Sequence, residues 1–168
     1  TWKEGYEMCK KHRLDNVHYK VTKSRYKKIS FPLLYLTRII EGCIKALTID
    51  PKDIHEESIT YSSTDFFPDT LPAFIMKKRF NNFKWIAGLY LFAPNPFKSS
   101  SDVNYRGGRM PFSLRNLVYY LSQRVSYYLI KQQADFILVA NELDKRIFVK
   151  DGIPNTKVMP VYGGVNIT

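Results

Sequence analysis

Cysteine is nearly missing from this chain: only Cys9 and Cys43 occur, each in a segment that reads as helix. That excludes a disulfide framework, and the simplest account is a pair of reduced, buried thiols in a cytosolic protein. Histidine is almost as scarce. His12, His18 and His55 are widely spaced, so no metal-ligand pattern forms and no Ser-His-Asp or Cys-His arrangement can be argued. No apolar run approaches the roughly 20 residues of a membrane-spanning helix. The opening Thr1-Trp2-Lys3-Glu4 lacks the apolar core of a secretory signal. Neither G-x-x-x-x-G-K-S/T nor G-x-G-x-x-G is present, so no nucleotide fingerprint is legible. Acidic residues are few: 15 Asp and Glu face 26 Lys and Arg, for a net charge of +11. Such a field attracts nucleic acid, anionic lipid headgroups or phosphorylated substrates without choosing among them, and it also serves solubility.

What is present is enough for one globular domain. The chain has 168 residues, 45% of them hydrophobic, which suffices for a real core. Helical and extended patterns alternate along it. Gly5–Leu14 reads as helix and Val17–Thr22 as a short strand, followed by the basic run Lys23–Lys28. Phe31–Leu47 is helical, with Leu33, Leu36, Ile40, Cys43, Ile44 and Leu47 at helical spacing. Ser58–Tyr61 is a strand, and a helix follows Pro68-Asp69 and runs to Arg79. Phe83–Phe92 has the unbroken apolar character of a strand buried on both faces. A Ser-, Gly- and Arg-rich loop, Lys98–Pro111, leads to the longest helix, Ser113–Gln133, with its stripe Leu114, Leu117, Val118, Leu121, Val125 and Leu129. Asp135–Ala140 is another buried strand, Glu142–Lys150 a short helix stopped by Gly152 and Pro154, and Lys157–Val161 a last strand.

This alternation predicts an α/β fold: a doubly wound parallel sheet with helices on both faces, its first, central strand missing ahead of Thr1. Both ends of the chain read as cut. In a parallel sheet all carboxyl ends share one edge, and there ligands bind. The corners expected on that edge are Ser62, Ser63, Thr64 and Asp65 with Asp69 in the next helix, then Pro94 and Asn95, then Asn141 and Glu142. Each has a plainer reading as well: a capping turn, a strand stop, an N-cap. Trp2 and Gly5, near the amino end of the first helix, suit a phosphate, as do Gly163 and Gly164 after the last strand. Gly107-Gly108 between Arg106 and Arg109 is either an anion site or a flexible loop.

The stretches YSSTDFFPDTLPAF, KWIAGLYLFAPNPF, LIKQQADFILVANE and GIPNTKVMPVYGGVN, in this order and spacing, resemble the N-terminal domain of GT-B fold glycosyltransferases of family 4. The resemblance implies a Rossmann-like, acceptor-side domain over 1–162, with 163–168 starting the linker to a C-terminal, donor-binding domain. It implies retaining transfer from a nucleotide-sugar to a sugar or lipid-linked acceptor, with the nucleotide-sugar as co-substrate and no cofactor or metal. It implies that the chain by itself is inactive. Many members carry a histidine at the end of the strand matching Ile59–Tyr61. Here Ser62-Ser63-Thr64-Asp65 stands instead, so only pocket-lining roles transfer to Ser63 and Asp65, and no catalytic residue is assigned. The family's Glu-x7-Glu signature, which belongs to its second domain, does not occur.

Several such enzymes work at membrane surfaces. A basic, aromatic face is expected from Lys27, Lys28, Arg106, Arg109, Arg115 and Arg124 with the tyrosines of the long helix. It would place the protein in the cytoplasm, peripherally on the cytoplasmic membrane face. The alternative is that the stripe of that helix is core and its tyrosines a half-buried rim. The alternative function is a non-enzymatic basic α/β module binding nucleic acid or anionic ligands by stacking and charge. No sequence-specific nucleic-acid partner is expected. A different nucleotide-dependent α/β enzyme is a third reading.

Overall fold

The structure, a computed structural model, describes residues 10–11, 30–55, 58–80, 82–93 and 113–162. The chain divides into two compact units, Thr1–Thr37 and Arg38–Thr168. Of the first, Lys10 and Lys11 are helical and residues 30–37 open the helix α1, Phe31–Thr48. The rest of the expected first helix, the expected strand Val17–Thr22 and the run Lys23–Lys28 lie outside the described residues.

The second unit is an α/β fold of Rossmann-like type. Its elements are β1 (Ile59–Ser62), α2 (Phe67–Arg79), β2 (Lys84–Leu89), α3 (Leu114–Gln133), β3 (Phe136–Val139), α4 (Glu142–Lys150) and β4 (Val158–Pro160), with short 3-10 turns at Pro51–Asp53 and Asn155–Lys157. The strands form one four-stranded sheet in the order β1-β2-β3-β4, and every pairing is parallel. The order runs straight through the sequence, so no reversal of winding falls among the described strands. The helices of the three crossovers pack on one face of the sheet. Burial records the result. Ser62, Trp85, Ala87, Leu89, Ile137, Val139 and Val158 are buried, and they share a core with Ala73 of α2, Ile130 of α3 and Phe148 of α4. Register partners such as Ala87 and Ile137 point the same way. The opposite face carries Ile59, Tyr61, Phe136 and Met159, all exposed.

Local chemistry explains the boundaries. Ser113 caps α3 through its hydroxyl, which accepts from Asn116 N at 3.1 Å. Asn141 caps α4 by accepting from Asp144 N at 2.9 Å. α4 ends where Gly152 adopts φ 88°, the left-handed conformation that glycine tolerates after a helix. α1 packs on α2 through the small cluster Ala46, Met76 and Phe83. The contact is close: a Cβ on Gly42 would lie 2.8 Å from Pro72 Cγ. At the amino-terminal edge of the sheet, Lys77 Nζ donates to Asp135 Oδ2 at 2.7 Å and to Phe83 O at 2.7 Å. The same carboxylate oxygen accepts from Trp85 N at 2.8 Å, which binds α2, β2 and β3 together. Burial alone would raise the Asp135 carboxyl, but Lys77, the Trp85 N–H and Lys84 together hold it below the usual range.

Two apolar stripes stand where a simple burial rule does not put them. Leu33, Leu36, Ile40, Ile44 and Leu47 of α1 are exposed. So are Leu114, Val118, Leu121 and Val125 of α3, which turns Ser122, Gln123, Ser126 and Ile130 inward instead. Leu117 and Leu129 of the expected stripe are half-buried, Leu129 against the main core, so that stripe is core only in part.

Candidate ligand-binding edge at the carboxyl ends of the strands

Because all four strands are parallel, Ser62 at the end of β1, Tyr90 after β2, Asn141 after β3 and Val161 after β4 come to one edge. The corner after β2 is described only to Ala93, short of Pro94 and Asn95, and the corners after β1 and β3 can be read atom by atom. Ser62 faces inward and is 1% exposed. Its hydroxyl accepts from Trp85 Nε1 at 3.0 Å, so it anchors the largest core side chain. Ser63 Oγ and Thr64 Oγ1 both donate to Asp69 Oδ2, at 2.9 and 2.7 Å. Asp69 sits in the first turn of α2, where a carboxylate also offsets the helix dipole. The cluster holds the turn rigid and leaves Ser63 at the surface.

Asp65 is 4% exposed and accepts from Gln123 Nε2 at 2.7 Å. Burial pushes its carboxyl above the usual carboxylate range, although the Gln123 hydrogen bond pulls partly back and the Asp69 charge adds to the rise. Gln123 is the hub of this edge. Its Nε2 also donates to Leu91 O at 2.6 Å, and its Oε1 accepts from Ala93 N. It thereby ends β2 early: the ladder stops at Leu89 although the apolar run continues to Phe92. The chain beyond Leu89 gives its backbone hydrogen bonds to a side chain of α3 rather than to β3. A glutamine on the inward face of the long helix, opposite its aliphatic stripe, was the sequence signal for this hub. The periodicity reading passes over it because it weighs only apolar positions.

A pocket of about 300 Å³ opens beside this edge between α1, β1 and α2, lined among others by Lys45, Tyr61, Ser63, Asp69 and Pro72. It offers an ammonium, an aromatic ring, a hydroxyl and a carboxylate around an apolar floor. Such a set suits a ligand with several hydroxyls and one anionic group. Tyr61 and Tyr90 share a hydrogen bond between their hydroxyls at 2.8 Å. Burial, with the Tyr61 bond second, pushes Tyr90 up to about 12, so the Tyr90 phenol stays neutral near pH 7.

At the third corner, Asn141 is an N-cap whose Nδ2 also donates to Asp144 Oδ2 at 2.8 Å. Burial raises the Asp144 carboxyl against that bond. Glu142 is exposed beside it and accepts from Tyr162 Oη at 3.5 Å. The structure thus brings Ser63, Asp69, Tyr61 and Lys45 to one pocket. It assigns Ser62, Asp65 and Asn141 architectural hydrogen bonds. Trp2, Gly5, Lys27, Lys28, Pro94, Asn95, Arg106, Arg109, Gly163 and Gly164 lie outside the described residues, as does the Arg115 side chain, while Arg124 is exposed on α3. Among the described residues no cluster of His, Cys, Asp and Glu could hold a metal ion, and no helix is long and apolar enough to cross a membrane. Comparison with protein-family models, curated proteins and solved structures finds no match.

Proposed function

We propose that this chain forms the acceptor side of a retaining glycosyltransferase site that takes its sugar from a nucleotide-sugar bound mainly by a second domain. One observation carries the reading: parallel strands deliver a rigid hydroxyl–carboxylate turn, Ser63-Thr64 with Asp69, to a pocket that also holds Tyr61 and Lys45. A sugar acceptor needs such a surface. Its hydroxyls exchange hydrogen bonds with Ser63 and Asp69, its apolar ring face lies against Tyr61, and Lys45 meets a phosphate in a lipid-linked acceptor. Retaining transfer passes through a cationic sugar and a departing diphosphate, so the protein's part is to position the two substrates and stabilise charge. A preorganised turn does the positioning. Asp69 is not assigned as a base, because its Oδ2 already accepts two hydroxyl protons.

The test is transfer by the intact polypeptide across UDP- and GDP-linked donors, followed by Ser63→Ala and Asp69→Asn. Each variant is expected to raise the acceptor KM about tenfold while donor hydrolysis continues, the pattern of lost acceptor positioning. Loss of donor hydrolysis alone, with acceptor KM unchanged, counts against the reading.

A further inference from the structure

The outward side of α1 is apolar along most of its length. Leu33, Leu36, Ile40, Ile44 and Leu47 are 57, 51, 49, 53 and 56% exposed. Their spacing sets them in one stripe on one continuous helix. Gly42 and Ala46 face the other way, toward α2 and the pocket. The stripe reads the same in both directions. Leu33 and Leu47 stand seven residues to either side of Ile40, and Leu36 and Ile44 stand four to either side. The charged residues of the helix, Arg38, Glu41 and Lys45, fall on its other side.

We infer that two copies of this chain associate through α1, with the two helices antiparallel about a two-fold axis at Ile40. A contact between identical surfaces must be self-complementary: if residue i meets residue j, then j meets i. The symmetric stripe meets that condition. Ile40 faces Ile40 of the second copy, Leu36 faces Ile44 and Leu33 faces Leu47, so every meeting pairs aliphatic side chains of similar size. Charge points to the same face. At +11 per copy two molecules repel each other, so a self-interface belongs where no cation stands. The exposed stripe of α3 lacks both properties. Val118 and Val125 lie three and four residues from Leu121, and Arg124 adjoins them. Each half-exposed side chain of α1 leaves on the order of 100 Å² uncovered. Two copies would therefore bury on the order of 1,000 Å² together, the lower bound for a specific interface and the size of a weak dimer. The inference stands apart from the sugar-transfer reading, because the stripe and the pocket lie on different sides of α1.

The experiment is sedimentation velocity of the chain from about 1 to about 100 µM, where a monomer–dimer equilibrium with a dissociation constant on the order of micromolar is expected. Ile40→Glu and Ile40→Lys should each weaken the dimer about tenfold or more while circular dichroism stays unchanged. An equimolar mixture of the two should restore it, because residue 40 alone meets its own counterpart. A second arm does not depend on burying a charge. With Cys9→Ser and Cys43→Ser in the background, Ile40→Cys should cross-link two chains on oxidation, whereas Leu47→Cys should not. A chain that stays monomeric at about 100 µM, as it would if another segment or another protein covered the stripe, overturns the inference. So does a dimer that the Ile40 variants leave intact, which places the interface elsewhere. Cross-linking of Leu47→Cys as readily as Ile40→Cys overturns it too, since that is the mark of parallel helices.

Discussion

The residue that most repays attention is Gln123, because it holds three chain segments by one amide. It donates to Asp65 and to Leu91 O, and it accepts from Ala93 N. Gln123→Ala would leave a buried carboxylate, a carbonyl and an N–H without their partner. We expect a cost of about 3 kcal/mol, measured by urea unfolding. Asp65→Asn should behave differently. The amide oxygen still accepts from Gln123, and the charge that burial disfavours is gone. Its stability at neutral pH should equal or exceed that of the parent protein. The sign with pH follows from the raised folded-state pKa of Asp65. The penalty is felt in full above that pKa, and it is relieved as pH falls through it toward the ordinary carboxylate range. The advantage of Asp65→Asn should therefore shrink on acidification. Asp135 runs the other way. Its lowered pKa contributes stability that is present above the unfolded value and is lost as pH falls through the folded one. Acid unfolding monitored for Asp135→Asn should lack that limb; an acid limb identical to the parent's would show that the Lys77 pair contributes nothing.

At the scale of elements, the sequence was legible where period and punctuation agree. α1, α3 and α4 fall within a residue of the expected spans, and Asn141 and Gly152 punctuate α4 as their chemistry requires. Parallel order was legible too, because strands alternate with helices. What could not be read was the direction each helix faces. The period of α3 shows that Leu114, Val118, Leu121 and Val125 share a side, but not that this side is outward. The decision came from close packing. Ser122 and Ser126 are small enough to let α3 lie near the sheet, and Gln123 needs the partners found there. Ser126 bears on the cost of this choice: it is fully buried and its hydroxyl finds no partner among the described residues. Ser126→Ala should stabilise the protein by about 1 kcal/mol, readable as a raised Tm. Destabilisation would reveal a partner for that hydroxyl. The candidate site was half legible for a related reason. A run of Ser, Thr and Asp after a strand marks a corner, but its hydrogen bonds decide which of them face a ligand. Here they leave Ser63 and Asp69 at the pocket and give Ser62 and Asp65 to the core.

For the molecule as a whole, the sheet is asymmetric. The helices α2, α3 and α4 share a core with one face, and the other shows Ile59, Tyr61, Phe136 and Met159 to solvent. Parallel sheets are ordinarily covered on both sides, so the energetics of the two faces should differ sharply. β4 offers a direct comparison, since Val158 and Met159 are adjacent and point opposite ways. Val158 is 1% exposed and Met159 42%. Val158→Ala removes methyls from a packed core and should cost about 2 kcal/mol. Met159→Ala removes a larger side chain from a half-wet surface and should cost less than about 1 kcal/mol. Chemical denaturation of the two variants measures the difference. A loss at Met159 equal to that at Val158 would mean that the second face is packed in solution, so that the stability of this sheet comes from two layers and not from one.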